Sequence, residues 1–160
     1  MLSDIFDKSI LIFGCGNILL GDDGFGPAVI KHLNENYVLP EQVLALDMGT
    51  GIREVLFDLI LSETKPDKII IVDAVDHPGR KPGEVFEIAV EDIPARKIAD
   101  FSLHQFPTVN MLKELKDHTG IAIIILVAQV QEIPEELKKG LTPAVTAAVD
   151  EACRLILRNI

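Results

Sequence analysis

Apolar positions along the chain fall into two kinds of run. Residues 9–13, 43–47, 68–72 and 121–127 are short, nearly continuous apolar blocks, the pattern of strands buried in a sheet. The blocks at 68–72 and 121–127 are the richest in isoleucine and valine, so they are expected to be central and covered on both faces. Between these blocks the spacing changes to that of helices. Phe25, Ala28, Val29, His32 and Leu33 predict a helix over 24–37. Ile52, Val55, Leu56, Leu59 and Ile60 predict a second, with Thr50 as its cap. Phe106, Val109 and Leu112 predict a third, running to about residue 117 from a capping box at Ser102–Gln105, with Pro107 in its first turn. Val145, Val149, Ala152 and Ile156 predict the last, capped by Thr142 with Pro143 at its first position.

Residues 84–88 alternate polar and apolar instead, which marks a strand with one solvated face. Only a Pro/Gly loop separates it from the strand before, so it should be antiparallel and at an edge. The order β-α-β-α-β-β-α-β-α predicts one α/β domain over residues 1–160, three layers deep. Its twisted, five-stranded sheet is mostly parallel, with one antiparallel edge strand and helices on both faces.

The candidate chemistry lies in the loop after the first strand, which carries Gly14, Gly16, Gly21, Asp22, Asp23, Gly24 and Gly26. In an open α/β sheet, ligands bind beyond the carboxyl ends of the strands. Gly-x-Gly after a strand suggests a dinucleotide-binding turn, but the position three beyond Gly16 is Leu19. Asp22 and Asp23 would also repel a phosphate, while a helix N-terminus stabilises them as anions. They are candidates for holding a cation, with helix capping as the plainer alternative. Asp73, at the end of the third strand, and His104, before the third helix, are expected on the same side of the sheet as Asp23. Two carboxylates and an imidazole suit a divalent ion such as nickel or zinc with positions left open.

Net charge is −10 over 160 residues, which argues against nucleic acid or an anionic membrane as partner. No apolar run approaches the roughly 20 residues of a membrane span. Residues 1–8 lack the basic start of a secretory signal, so a cytoplasmic location is expected. Cys15 and Cys153 make no disulfide framework.

The blocks Gly14-Cys15-Gly16-Asn17, Gly21-Asp22-Asp23-Gly24, Asp47-Met48-Gly49-Thr50, Val72-Asp73-Ala74, Leu103-His104-Gln105 and Gly140-Leu141-Thr142-Pro143 span nearly the whole chain. In that order they resemble the [NiFe]-hydrogenase maturation endopeptidases, most closely the archaeal branch of the deazaflavin-reducing hydrogenases. The resemblance implies a cytoplasmic, monomeric hydrolase that removes a C-terminal extension from the hydrogenase large-subunit precursor after nickel insertion. It implies Asp23, Asp73 and His104 as both the catalytic and the metal-binding residues. The nickel comes with the precursor and serves as the recognition element; another divalent metal can stand there in isolation. The chain departs from the family in having Asp23 where glutamate is common, and Ala128-Gln129 where glycine is common.

Rival readings stay open at this point. One is a dinucleotide-binding oxidoreductase with Asp47 on a ribose. Another is a non-catalytic nickel-handling or scaffold protein for hydrogenase assembly. Cys15 with His104 could form a thiol nucleophile pair, and His77 with Asp73 and Asp76 is a competing local cluster. The loop 76–83 is either a precursor-docking segment or a solvated turn. His32 is expected at the core or its boundary, and Cys153 in the core.

Overall fold

The computed structural model describes residues 5–92 and 105–160. The strands are β1 (Ile10–Cys15), β2 (Val43–Gly49), β3 (Lys68–Val75), β4 (Val85–Ile88) and β5 (Ala122–Gln129), and the main helices are α1 (Phe25–Asn36), α2 (Ile52–Leu61), α3 (Gln105–His118) and α4 (Pro143–Leu157). One-turn 3-10 helices lie at Gly21–Gly24 and Val90–Asp92. The sheet order is β2-β1-β3-β5-β4. β1, β2, β3 and β5 are parallel, and β4 pairs antiparallel with β5 at the edge. The expected sheet is therefore the observed one.

Right-handed crossovers assign the helices to layers. The chain moves outward from β1 to β2 through α1, then reverses past β1 to β3 through α2. That reversal places α1 and α2 on opposite faces. α1 packs against α4 on one face and α2 against α3 on the other. Phe25, Val29, Leu33, Val145, Ala152 and Ile156 fill the first core with Ile12, Ile70 and Val72. Ile52, Leu56, Leu59, Leu112 and Leu115 fill the second with Leu11, Phe13, Ile69 and Ile71. Even and odd residues of β1 and β3 thus serve different cores, which is why both strands read as unbroken apolar runs.

Several boundaries differ from expectation for physical reasons. β1 runs to Cys15 and β3 to Val75, so Asp73 lies inside its strand, paired in register with Val127. Polar Asp73 interrupts the apolar run without interrupting the ladder. Thr50 does not cap α2: Gly51 stands at that position without a side-chain cap, after a turn closed by the Gly51 N–H on Met48 O at 2.8 Å. Gly49, at φ +52°, starts that turn. The capping box at Ser102–Gln105 falls largely outside the described residues, and so does His104. Leu112 of the expected stripe is buried. His32 is half-buried at the boundary, its Nε2 3.6 Å from Asp150. Cys153 is fully buried; its Sγ donates to Val29 O, and burial pushes its thiol up to about 11. No described helix is long and apolar enough to cross a membrane.

Candidate active site

The order β2-β1-β3 makes the carboxyl ends of β1 and β3 the point where the chain's course across the sheet reverses, the place where open α/β sheets bind ligands. Gly14 of β1 is in register with Val72 of β3. Asp73 is therefore one residue beyond the last β1–β3 pair, at the mouth of that crevice.

The loop from β1 is shaped by close packing. A Cβ at Gly26 would fall on backbone atoms of Cys15 and Val72, and one at Gly14 on Gly26 O. The first turn of α1 thus rests on the backbones of the two central strands. Gly16, at φ +140°, faces Asp23 O at a distance that leaves no room for a side chain. These glycines serve contact between helix, turn and strand, not the approach of a phosphate. Gly21–Pro27 are all buried, Pro27 has no N–H, and two carboxylates stand beside this helix end. Asp47 accepts from the Gly49 N–H at 2.9 Å and holds its own strand end. The geometry disfavours a dinucleotide site.

Asp22 and Asp23 are adjacent, 1% and 3% exposed, and used in different ways. Asp22 points to the far loop. It accepts from Gln131 N at 2.9 Å and Glu132 N at 3.4 Å through Oδ2, and from Thr142 N at 2.7 Å through Oδ1. The Thr142 hydroxyl lies 3.0 Å from both oxygens. Thr142 does precede Pro143 at the start of α4, but its hydroxyl serves Asp22 instead of capping the helix. The same two loops meet again where Gly21 N donates to Lys138 O and Lys138 N to Leu19 O, both at 2.8 Å. Asp22 is a tie between loops.

Asp23 turns back over its own loop, where the Asn17 N–H donates to Oδ2 at 2.9 Å. Neither aspartate caps α1, whose cap position is Gly24. The 3-10 turn carrying Asp23 is in contact with β3. Asp73, 5% exposed, accepts from the Ala74 N–H at 2.7 Å. The structure therefore brings Asp23 and Asp73 to the same crevice by way of adjacent strands. α3 ends a short turn before β5, and its 14 residues span about 20 Å, so Gln105 starts it at the carboxyl edge of the sheet. α3 lies on the face that the odd residues of β3 address.

Among the described residues no group of three or more His, Cys, Asp or Glu is placed to hold a metal ion. This removes the cluster of His77, Asp73 and Asp76. The His77 N–H donates to Gln129 Oε1 at 2.8 Å, and Gln129 Nε2 donates to Asp76 Oδ1 at 3.1 Å. Gln129 lies just past the apolar block at 121–127 and has the composition of a loop. It is the buried last residue of β5 and clamps the loop that follows β3. The sequence signal for it was weak: a single amide at the end of an apolar run. Asn17, which donates to Asp23 and caps its own turn on Leu19 N, was visible only as part of a motif.

The profile of the hydrogenase maturation protease family matches residues 27–159, most of the chain, although it begins just after Asp23. The hydrogenase 2 maturation protease of Escherichia coli is 35% identical over 150 residues, covering 92% of this chain and 88% of that protein. The coenzyme F420 hydrogenase subunit delta of Methanothermobacter thermautotrophicus is 37% identical over 159 residues, covering 97% and 96%. Among solved structures, the E. coli hydrogenase-maturating endopeptidase HybD superimposes with a TM-score of 0.73 at 32% identity, over 95% of this chain and 91% of that one. The [NiFe] hydrogenase maturation protease HycI of Thermococcus kodakarensis gives 0.74 at 25% identity, over 97% and 95%. With its fold, its crevice and these likenesses in agreement, the chain belongs to the hydrogenase maturation protease family.

Proposed function

We propose that this endopeptidase removes the C-terminal extension of a [NiFe]-hydrogenase large-subunit precursor after nickel has been inserted, and that it reads the inserted nickel as its licence to cut. What supports the reading is a pair of buried carboxylates, Asp23 in the turn that follows β1 and Asp73 near the end of the adjacent β3. A divalent ion held between them would be favoured by both negative charges. With His104 they form a mixed oxygen and nitrogen donor set that suits nickel and leaves positions for the precursor's own ligands. A divalent ion in such a place can act as a Lewis acid toward a carbonyl. The chain's share is to hold the two carboxylates still: Asp23 through the Asn17 N–H, Asp73 through its strand. A non-catalytic nickel scaffold would bind the same precursor and release it uncut.

The test mixes the protein with nickel-loaded and nickel-free precursor and follows the large subunit by mass. Shortening of the nickel-loaded form alone is expected, and Asp23→Ala, Asp73→Ala and His104→Ala should each abolish it in a folded protein. Equal cutting of both precursors contradicts the nickel licence, and binding without cutting supports the scaffold.

A further inference from the structure

The Asn17 N–H donates to Asp23 Oδ2 at 2.9 Å. A backbone N–H points wherever its turn aims it. Here two bonds close the turn: the Leu19 N–H donates to Asn17 Oδ1 at 2.9 Å, and the Leu20 N–H donates to Asn17 O at 3.1 Å. The first is an Asx turn, in which a side-chain oxygen accepts from the backbone two residues on. Resting on the function proposed above, we infer that Asn17 is a positioning residue for Asp23: its side-chain oxygen shapes the turn that aims the Asn17 N–H at the carboxylate proposed to receive nickel.

Three observations make that aim depend on the side chain. First, packing does little to hold the turn. Ile18 is 52% exposed and Leu19 37%, so the residues at its tip gain little from burial. Second, the turn is pinned on both flanks, and Asn17 lies between the pins. Gly16 N donates to Gly49 O at 2.9 Å on the entry side, and Lys138 N donates to Leu19 O at 2.8 Å on the exit side. Gly16, at φ +140°, has no Cβ to favour one direction for the N–H that follows it. Third, the turn touches the residue after the carboxylate: a Cβ at Gly24 would stand 3.1 Å from Ile18 Cα. A turn that relaxes therefore shifts the N–H and the contact with Gly24 together.

The experiment follows the N–H at position 17 by its proton shift and amide exchange in NMR, without metal or precursor. It also measures kcat and KM with nickel-loaded precursor. Wild type is compared with Asp23→Ala, Asn17→Ala, Asn17→Gln and Asn17→Ser. Asp23→Ala removes the acceptor and defines the signal of the released N–H. Asn17→Ala and Asn17→Gln both lose the Asx turn, the second while keeping a polar amide. Both should show the released signal, with exchange roughly 10- to 100-fold faster than wild type, the worth of a hydrogen bond to a charged group. Their kcat/KM should fall by roughly 10- to 100-fold, as for partners that orient a metal-binding side chain. Asn17→Ser keeps an oxygen that can close the turn and should recover most of both. An asparagine that only stabilises its loop would leave the N–H at position 17 bonded to Asp23. A wild-type signal at position 17 in Asn17→Ala or Asn17→Gln overturns the inference, whatever the rate of cutting. So does an Asn17→Ser variant with the wild-type signal restored and cutting still lost. A wild type that binds the precursor but does not cut it, with the signal at position 17 released as expected in the variants, overturns the endopeptidase reading and leaves the positioning of Asp23 standing.

Discussion

The loop after β1 is tied down on every side, whereas the loop after β3 is tied at its two ends. In the first, Gly16 N bonds Gly49 O of β2, Gly21 N bonds Lys138 O, Asp22 gathers Gln131, Glu132 and Thr142, and the Asn17 N–H holds Asp23. In the second, the Gln129 side chain holds Asp76 and His77 at the start, and the Gly83 N–H on Gln129 O at 2.8 Å holds the far end. Pro78–Pro82 between them are exposed, with Arg80 lying over the Phe86 ring at 3.9 Å and paired to Glu84. Both loops leave central parallel strands at the same edge. The difference teaches where order is needed. A carboxylate that is to receive a cation, as proposed for Asp23, needs its backbone fixed beforehand, whereas a segment presented to solvent needs only its anchors.

The contrast can be broken by substitution. Gly26→Ala should have the largest effect: its Cβ meets backbone atoms of two central strands that cannot move aside, costing more than about 3 kcal/mol. Denaturant unfolding checks this, and near-wild-type stability would remove close packing as the reason for the glycine. Asp22→Ala comes next, at about 2–4 kcal/mol, because it strands the buried N–H groups that the carboxylate now satisfies. Asp22→Asn should recover part of that loss, and both should reduce precursor cutting by loosening Asp23. Gln129→Ala should cost the least, about 1–2 kcal/mol. Its signature is local: amide exchange should speed up at residues 76–84 and stay slow at 17–24, as expected for a loop that opens separately from the rest.

The sequence disclosed these two loops unequally. Strand blocks, helix stripes and the antiparallel edge strand were legible because burial on one or two faces leaves a period in the chain. Asp23 and Asp73 were legible as acids at strand ends, although Asp73 proved to be two residues inside β3. The task of Asp22 was not legible. Its partners lie 109 to 120 residues away, and nothing local separates it from its neighbour Asp23. Thr142 shows the same limit: its place before Pro143 was readable, but the object of its hydroxyl was not. Gln129 was missed because an amide at a strand end looks like loop composition until its three-dimensional neighbours are known. The sequence spoke against a phosphate motif in the glycines, but only the packing of α1 on β1 and β3 supplies their cause.

The proposed function turns on Asp23, Asp73 and His104 closing around one divalent ion. Anomalous diffraction at the nickel edge, from crystals of the protein bound to nickel-loaded precursor, tests it most directly. A single peak within coordination distance of all three side chains is expected. A peak held by the precursor alone, with Asp23 or Asp73 turned away from it, would contradict it.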